Sequence, residues 1–363
     1  MSGAGADSGS RTGGDTRASV AVGDDGLAEW AASWEELADE VAAPPWWRPA
    51  WVRAWAAAFG RGRLELIVVT RGGSLAGVVP VQRTGRELRS TTNYHTPSFG
   101  LLACDEPARV AVAEALMEHA PARLSVAFLP AGEESLATLA AVARDGGRRT
   151  IRRALERCPY VVPDGDFDAY LAARRGHLTR ELRRRERRLA ANGRLTFDVH
   201  DGRDGLDVLL EEGLAVEAAG WKGQRGTAIA SSAGTRSFYA DVARSLADRG
   251  ALRLAFLRLD SRAFAFDFAI EEGGVHSLLK TGYDPAFRAF GPGMLLRARM
   301  LQRAFELGVR RYNFLGRDDP WKREWTTHVE EQVLFQAFRG PVGLADWTLQ
   351  RYARPIARRL LKR

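Results

Sequence analysis

Three β-type runs follow one another with only short turns between them: ALRLAFLRL, AFAFDFAIEE and VHSLLKTGY, within residues 251–283. They lead into RAFGPGMLLRARMLQRAFELG, a glycine-containing turn and a helix, and then into a short strand at Arg310–Leu315. Strands clustered ahead of one helix and one more strand build a mixed α+β sheet, not the strict alternation of a doubly wound parallel fold. The turn itself carries chemical information. Gly291 and Gly293 let the backbone approach a ligand closely, and Pro292 removes one amide and stiffens the chain. In the helix that follows, Leu295, Ala298, Leu301, Ala304 and Phe305 recur at helical spacing, and Gly308 stands where a C-cap belongs. Such a turn offers free N–H groups at the positive end of a helix dipole, a setting that suits a pyrophosphate.

At 363 residues the chain exceeds the length at which one core usually stops growing, so two domains or two fused halves are expected. Hydrophobic residues at 45% and charged residues at 27% exclude a disordered or fibrous class. Residues 1–28 read as a disordered tail, because Met1 to about Gly26 contains almost no large apolar side chain. A first half, 29–158, then has helical stretches through Trp34 and Leu37 and through Trp51, Trp55 and Phe59. A hairpin of LELIVVT and LAGVVPVQR follows, then a helix at Ala108–His119 and a strand at Leu124–Leu129. The Pro- and Gly-containing stretch Pro159–Asp166 marks the boundary to a second half, 159–363, which opens with a long basic helix over Asp168–Ala191 and ends with a late strand at Val333–Phe338.

Cys104 and Cys158 show no metal-ligand spacing, and the six histidines form no HxxxH or HExxH arrangement, so no metal is expected. A nucleophile elbow and a phosphate-binding Walker loop are also missing, which removes the serine-hydrolase reading. With no signal-like N-terminus and no run of about 18 apolar residues, the expected location is the cytoplasm.

Arg288-x-x-Gly291-x-Gly293 resembles the Q/R-x-x-G-x-G/A signature with which GNAT acetyltransferases hold the pyrophosphate of acetyl-CoA. The Arg-rich stretch HLTRELRRRERRLAANG, the segment VEAAGWKGQRGTAI, KTGYDPAFRAFGPGMLL and YNFLGRDDPWKREW resemble, in order, the CelD-like and FemAB-like branch of that superfamily. The resemblance implies tandem GNAT-like halves in an α+β fold, with a degenerate N-terminal half and an acyl-CoA site in the C-terminal half. It implies an acyl-CoA-dependent N-acyltransferase that uses acetyl-CoA or another acyl-CoA as co-substrate and a small-molecule or saccharide amine as acceptor. The donor would bind at Arg288, Phe290, Gly291, Gly293, Met294, Leu295 and Leu296.

Acyl transfer needs a group that accepts the amine's proton and one that serves the leaving thiolate. Asp267, set among the phenylalanines of AFAFDFAI, is the leading candidate acceptor, against the alternative of a buried structural acid paired with a cation. Tyr283 is placed to protonate the thiolate, Lys280 to stabilise the oxyanion or an anionic acceptor, and Asp284 or Glu217 to replace Asp267 as base. Glu217, Trp221, Lys222, Asn313 and Lys322 are candidate acceptor contacts.

Nine arginines lie between Arg174 and Arg194, but Leu178, Leu182 and Leu189 share one face, so most of the charge reads as a solvated wrap around a docked helix. No nucleic acid partner is expected. The alternatives kept open are a Fem-like transferase that takes its donor from aminoacyl-tRNA, and a non-catalytic basic module that binds nucleic acid or a membrane surface. The basic tail RYARPIARRLLKR is a candidate for peripheral membrane contact.

Overall fold

Thr16–Val22 form an edge strand, β1, paired antiparallel along its whole length with β2 (Arg63–Arg71). The expected tail to residue 28 is therefore too long. Most of the β1 side chains are exposed, so backbone hydrogen bonds to β2 hold the strand in place, and a composition argument based on apolar burial passes over it. In the computed structural model the described residues are 15–174, 178–220 and 229–353. The first half continues with α1 (Gly23–Glu40), α2 (Pro49–Phe59), β3 (Ser74–Thr84), β4 (Glu87–Ser90), β5 (Leu102–Ala103), α3 (Glu106–His119), β6 (Arg123–Pro130), α4 (Glu134–Asp145) and β7 (Arg149–Val161). The second half holds α5 (Phe167–Ala173), α6 (Leu178–Ala190), β8 (Leu195–His200), α7 (Leu206–Ala219), α8 (Ala233–Asp248), β9 (Leu252–Leu259), β10 (Arg262–Glu272), β11 (Val275–Tyr283), α9 (Pro292–Glu306), β12 (Arg311–Asn313), α10 (Pro320–Arg323), β13 (Val329–Phe338) and α11 (Gly340–Thr348). The single basic helix expected over Asp168–Ala191 is two, α5 and α6; Arg174 leaves helical geometry at ψ −121°.

All thirteen strands belong to one mixed sheet, in the order β1-β2-β3-β4-β6-β13-β7-β12-β11-β10-β9-β8, with β5 attached to β3. The topology repeats. Antiparallel β2-β3-β4, then α3, then β6 parallel to β4, has the same sequence of elements and senses as antiparallel β9-β10-β11, then α9, then β12 parallel to β11. One strand crosses the expected division at residue 158. β13 lies between β6 and β7, so the late strand of the second half completes the sheet of the first.

In the first copy the space beside β4 is filled by the chain itself. Ser90 Oγ accepts the Ala127 N–H at 3.0 Å, Phe99 N–H donates to the Phe128 carbonyl at 2.9 Å, and Gln332 Nε2 donates to the Pro97 carbonyl at 2.6 Å. The halves meet through two β7–β12 residue pairs, Val161 with Tyr312 and Tyr160 with Asn313, and through aromatic packing of Trp51 on Phe238. Arg249 adds ion pairs to Glu35 on α1 at 2.7 Å and to Glu272 on β10 at 2.7 Å.

Helix α7 approaches the second-half sheet at two glycines. A Cβ on Gly213 would stand 2.3 Å from Phe266 Cε2, and one on Gly282 would stand 2.6 Å from the Glu217 Cα. Ala normally favours a helix over Gly by about 1 kcal/mol. Here overpacking should outweigh that gain, so Gly213→Ala is expected to lower stability by about 1–3 kcal/mol in urea unfolding; a stabilised variant would show that α7 can ride outward freely.

Candidate active site

In the first copy Thr91–Gly100 fills the seam between β4 and β6, whereas among the described residues the equivalent seam of the second copy, between β11 and β12, stays partly unpaired. β11 and β12 pair only from Val275 with Arg311 to Ser277 with Asn313. Beyond Ser277, β11 runs on to Tyr283 while β12 ends, so an opening lies between Leu278–Tyr283 and Phe314–Gly316. The register of β11 against β10 shifts there: Phe268 faces Lys280 and Ala269 faces Leu278, which makes Leu279 a bulge residue. A bulge re-aims side chains and main-chain amides beside the opening.

One lip of the opening leads to α9. Gly291 has φ +64° and precedes the helix, Pro292 occupies its first position, and the helix has no side-chain cap. Among the described residues, a Cβ on Gly293 would meet only Tyr283 Cδ1, at 3.8 Å. The arrangement leaves room for a ligand group between Tyr283 and the start of α9, and the positive helix end favours an anion there. Arg288 is exposed beside this turn, and Phe290 and Met294 are half-buried. The side chains of Leu295 and Leu296 face the core, so their part in the expected donor site is limited to the main chain at the helix start.

Helix α6 lies against the same turn, which changes its reading. Arg185 Nη1 would stand 2.3 Å from a Cβ on Gly291, and the Arg188 guanidinium lies 5.5 Å from the Phe290 ring centroid. Leu178, Leu182 and Leu189 are buried, and Arg180, Arg183, Arg184, Arg187 and Arg188 are exposed. The solvated wrap is thus present on most of the helix, while Arg185 and Arg188 reach the turn. Helical spacing brought out the buried leucines; it held nothing to show which element the arginines would meet.

Asp267 is fully buried at 0% exposure, paired with Arg297 of α9 at 2.9 Å, and Arg297 is 1% exposed. Arg297 also hydrogen-bonds the Tyr312 hydroxyl of β12. This is the geometry of the structural alternative: a carboxylate whose cation is already bound, with no approach for a substrate amine. Asp284 is likewise engaged, accepting the Ala286 N–H at 2.9 Å and pairing with Arg262 at 2.6 Å, so it holds the turn that precedes α9. Glu217, 1% exposed, accepts the Ile229 N–H at 2.8 Å. Lys322 donates to the carbonyls of Leu315 and Arg317, both at 2.6 Å, and pins the far lip of the opening. Burial pushes its ammonium below the ordinary value, with Asp319 opposing. Asn313 accepts from Arg311 Nε at 2.6 Å at the point where the strands part. Trp221 and Lys222 lie outside the described residues.

The candidates fall on two faces of β11. Tyr283 packs with Phe290 and Met294 on the α9 face, where Asp267 also lies. Lys280 lies on the other face, its Nζ 5.4 Å from the Tyr239 ring centroid on α8. His95, from the first half, bonds the Tyr239 hydroxyl at 3.2 Å on that face. Neither His95 nor Tyr239 was a sequence candidate, because they meet only through the contact between halves. Among the described residues there is no cluster of three or more metal-ligating side chains, and no helix long and apolar enough to cross a membrane.

Residues 176–323 match the family model of the acetyltransferase (GNAT) domain. A comparison with curated proteins found no match. Among solved structures, the C-terminal domain of a protein described as a lysylphosphatidylglycerol synthetase from Agrobacterium fabrum is 16% identical, with a TM-score of 0.54 over 89% of this chain and 96% of that one. The L-PGS of Bacillus licheniformis is 13% identical, with a TM-score of 0.52 over 84% and 95%. FemX is 14% identical, with a TM-score of 0.51 over 78% and 90%. The fold is of the GNAT and FemAB-like type, in two fused copies.

A buried pair that has lost one partner leaves an uncompensated charge. Asp267→Asn is expected to cost about 3–5 kcal/mol of stability in urea unfolding, and Asp267→Leu combined with Arg297→Met to restore most of it. A stable Asp267→Asn protein that is inactive would return Asp267 to the role of base.

Proposed function

We propose that the chain, with its GNAT-type second half, transfers an acyl group from an acyl-CoA thioester to an amine. The observation that carries this reading is the open Cβ position of Gly293 beside Tyr283, at a helix start where Arg185 and Arg188 converge. The residues fit the donor's pyrophosphate: a first-turn amide at a positive helix end, no side-chain cap to compete for it, and guanidinium groups within reach. When bound there, acyl-CoA supplies an activated thioester.

The protein's own part in transfer is positional and electrostatic. Beyond Ser277, β11 pairs with β10 but not with β12, which sets one edge of its main-chain amides beside the opening, and the bulge at Leu279 turns that edge out of the regular ladder. Such preorganised amides stabilise an oxygen that gains negative charge without reorienting. The Tyr283 hydroxyl is the candidate to return a proton to the departing sulfur. With Asp267, Asp284 and Glu217 held in structural hydrogen bonds, the amine's proton passes to water or to a group on the acceptor face of β11. The acceptor is an amine on a sugar, a polysaccharide precursor or a small metabolite.

One observation favours a second reading. The exposed arginines of α6 would accommodate a polyanionic donor, and FemX and the L-PGS of Bacillus licheniformis share the fold, so an aminoacyl-tRNA donor is the alternative. A steep loss of affinity for tRNA with salt, together with no binding of acetyl-CoA, would favour it.

Gly293→Ala separates folding from binding. Helix propensity should leave the variant as stable as the parent or up to about 1 kcal/mol more stable. The added methyl occupies the space beside Tyr283, and acetyl-CoA affinity by calorimetry is expected to fall by about tenfold or more, equivalent to roughly 1.4 kcal/mol. Unchanged affinity in the folded variant would remove the donor from this turn.

A further inference from the structure

We infer that His95, which the first half contributes across the seam, is the acceptor-side contact of the second half's site, and that its ring N–H holds an oxygen of the incoming acceptor. The acceptor class this selects is an amine that carries a hydroxyl or carboxylate oxygen close to the reacting nitrogen. The inference rests on the acyl-transfer reading.

The geometry is built by both halves. The segment that fills the first copy's own seam, Thr91–Gly100, carries His95 outward to the opposite half. There the imidazole stacks flat on Phe59, with centroids 4.9 Å apart and planes 2° apart, and meets Tyr239 edge-on at 5.7 Å. Asn93 Oδ1 accepts the His95 backbone N–H at 2.9 Å and fixes the local turn. The ring nitrogen Nδ1 lies 3.2 Å from the Tyr239 hydroxyl. Tyr239 is 1% exposed, and Lys280, next to the bulge of β11, lies over its ring. The cluster is therefore on the face of β11 away from the α9 turn, the side that a donor held at α9 leaves for the second substrate.

The bond to Tyr239 occupies Nδ1 and leaves Nε2 as the ring nitrogen turned to the seam. Burial, with the Glu217 carboxylate adding to it, pushes the Tyr239 phenol well above its ordinary value, so its hydroxyl stays protonated and is able to donate to Nδ1, as the inferred tautomer requires. Burial and then the charge of Lys280 push His95 down to about 4, so the imidazole is neutral near pH 7. A neutral ring that accepts at Nδ1 carries its proton on Nε2. Among the described residues Nε2 has no protein partner, and the ring is half-buried rather than sealed in. In that tautomer His95 holds an N–H donor with no protein acceptor among the described residues, at an aromatic-walled contact between the halves, a feature that a core-filling histidine does not need.

The test compares wild type, His95→Ala, His95→Gln and Tyr239→Phe, each checked for folding by thermal denaturation. Calorimetry with acetyl-CoA reads the donor site, and thiol release from acetyl-CoA reads transfer, with D-glucosamine, L-lysine or water as acceptor. Affinity for acetyl-CoA is expected to stay within about twofold in all variants, because His95 is remote from α9. For His95→Ala, kcat/KM for the amine is expected to fall by about tenfold or more, and His95→Gln, which keeps an N–H donor, should recover most of it. Transfer at the wild-type rate in a folded His95→Ala protein would make the imidazole a packing residue. Loss of acetyl-CoA binding in that variant would equally overturn the acceptor-side placement. Failure of wild type itself to bind acetyl-CoA would instead strike the acyl-transfer reading on which the inference stands.

Discussion

A fully buried arginine requires a carboxylate beside it, since removing one charge from water without its partner costs several kcal/mol. Arg297 and Asp267 meet that requirement between α9 and β10, and the Tyr312 hydroxyl extends it to β12. Three elements are thereby tied at one buried polar point beneath the sheet, with the half-buried Arg303–Glu271 pair joining α9 to β10 a second time. The consequence reaches the surface. With α9 anchored one turn below its start, the Gly291–Gly293 turn stands at a fixed height beside Tyr283, while β11 and β12 part above the anchor. Ion pairs of this kind contribute more to fixing a unique arrangement than to net stability, and here the arrangement they fix is that of helix start to opening.

The duplicated topology gives that opening its other wall. Both copies place two strands in parallel with a helix between them, and in both the strands part after three residue pairs. The first copy closes its gap with Thr91–Gly100 and receives β13 from the far end of the chain. The second copy keeps its gap. The chain that closes the first gap also brings His95 against Tyr239 of the second half.

Local chemistry carried much of this into the sequence. The hairpin of β2 and β3, the three-strand meander, and the glycine turn ahead of α9 follow from alternation, glycine placement and helical spacing, and each formed where expected. The failures share one physical cause, which is partnership over long sequence separation. β1 is held by backbone pairing to residues some fifty positions on, and its side chains, mostly small and exposed, concealed it. A boundary drawn at the Pro159–Asp166 turn could not show that β13 crosses back. Asp267 in an apolar strand was consistent with a base and with a paired acid, and the cation it pairs with, Arg297, stands thirty residues later, where no local pattern points to it. Lys322 was a candidate acceptor contact because it follows the splayed strand on the side where an acceptor would enter; the carbonyls of Leu315 and Arg317 that take its protons lie in a loop without any sequence signal.

The central claim is that one half alone, through the start of α9 and the arginines of α6, holds an acyl-CoA donor. Hydrogen–deuterium exchange with and without saturating acetyl-CoA tests it directly, because both copies present a helix after a parallel-strand gap and the amides of each can be followed separately. Protection is predicted at residues 290–296 and along 181–188, with none at the start of α3 in the first copy, residues 105–112. Protection confined to the first copy, or no protection anywhere in the chain at saturating acetyl-CoA, would contradict it.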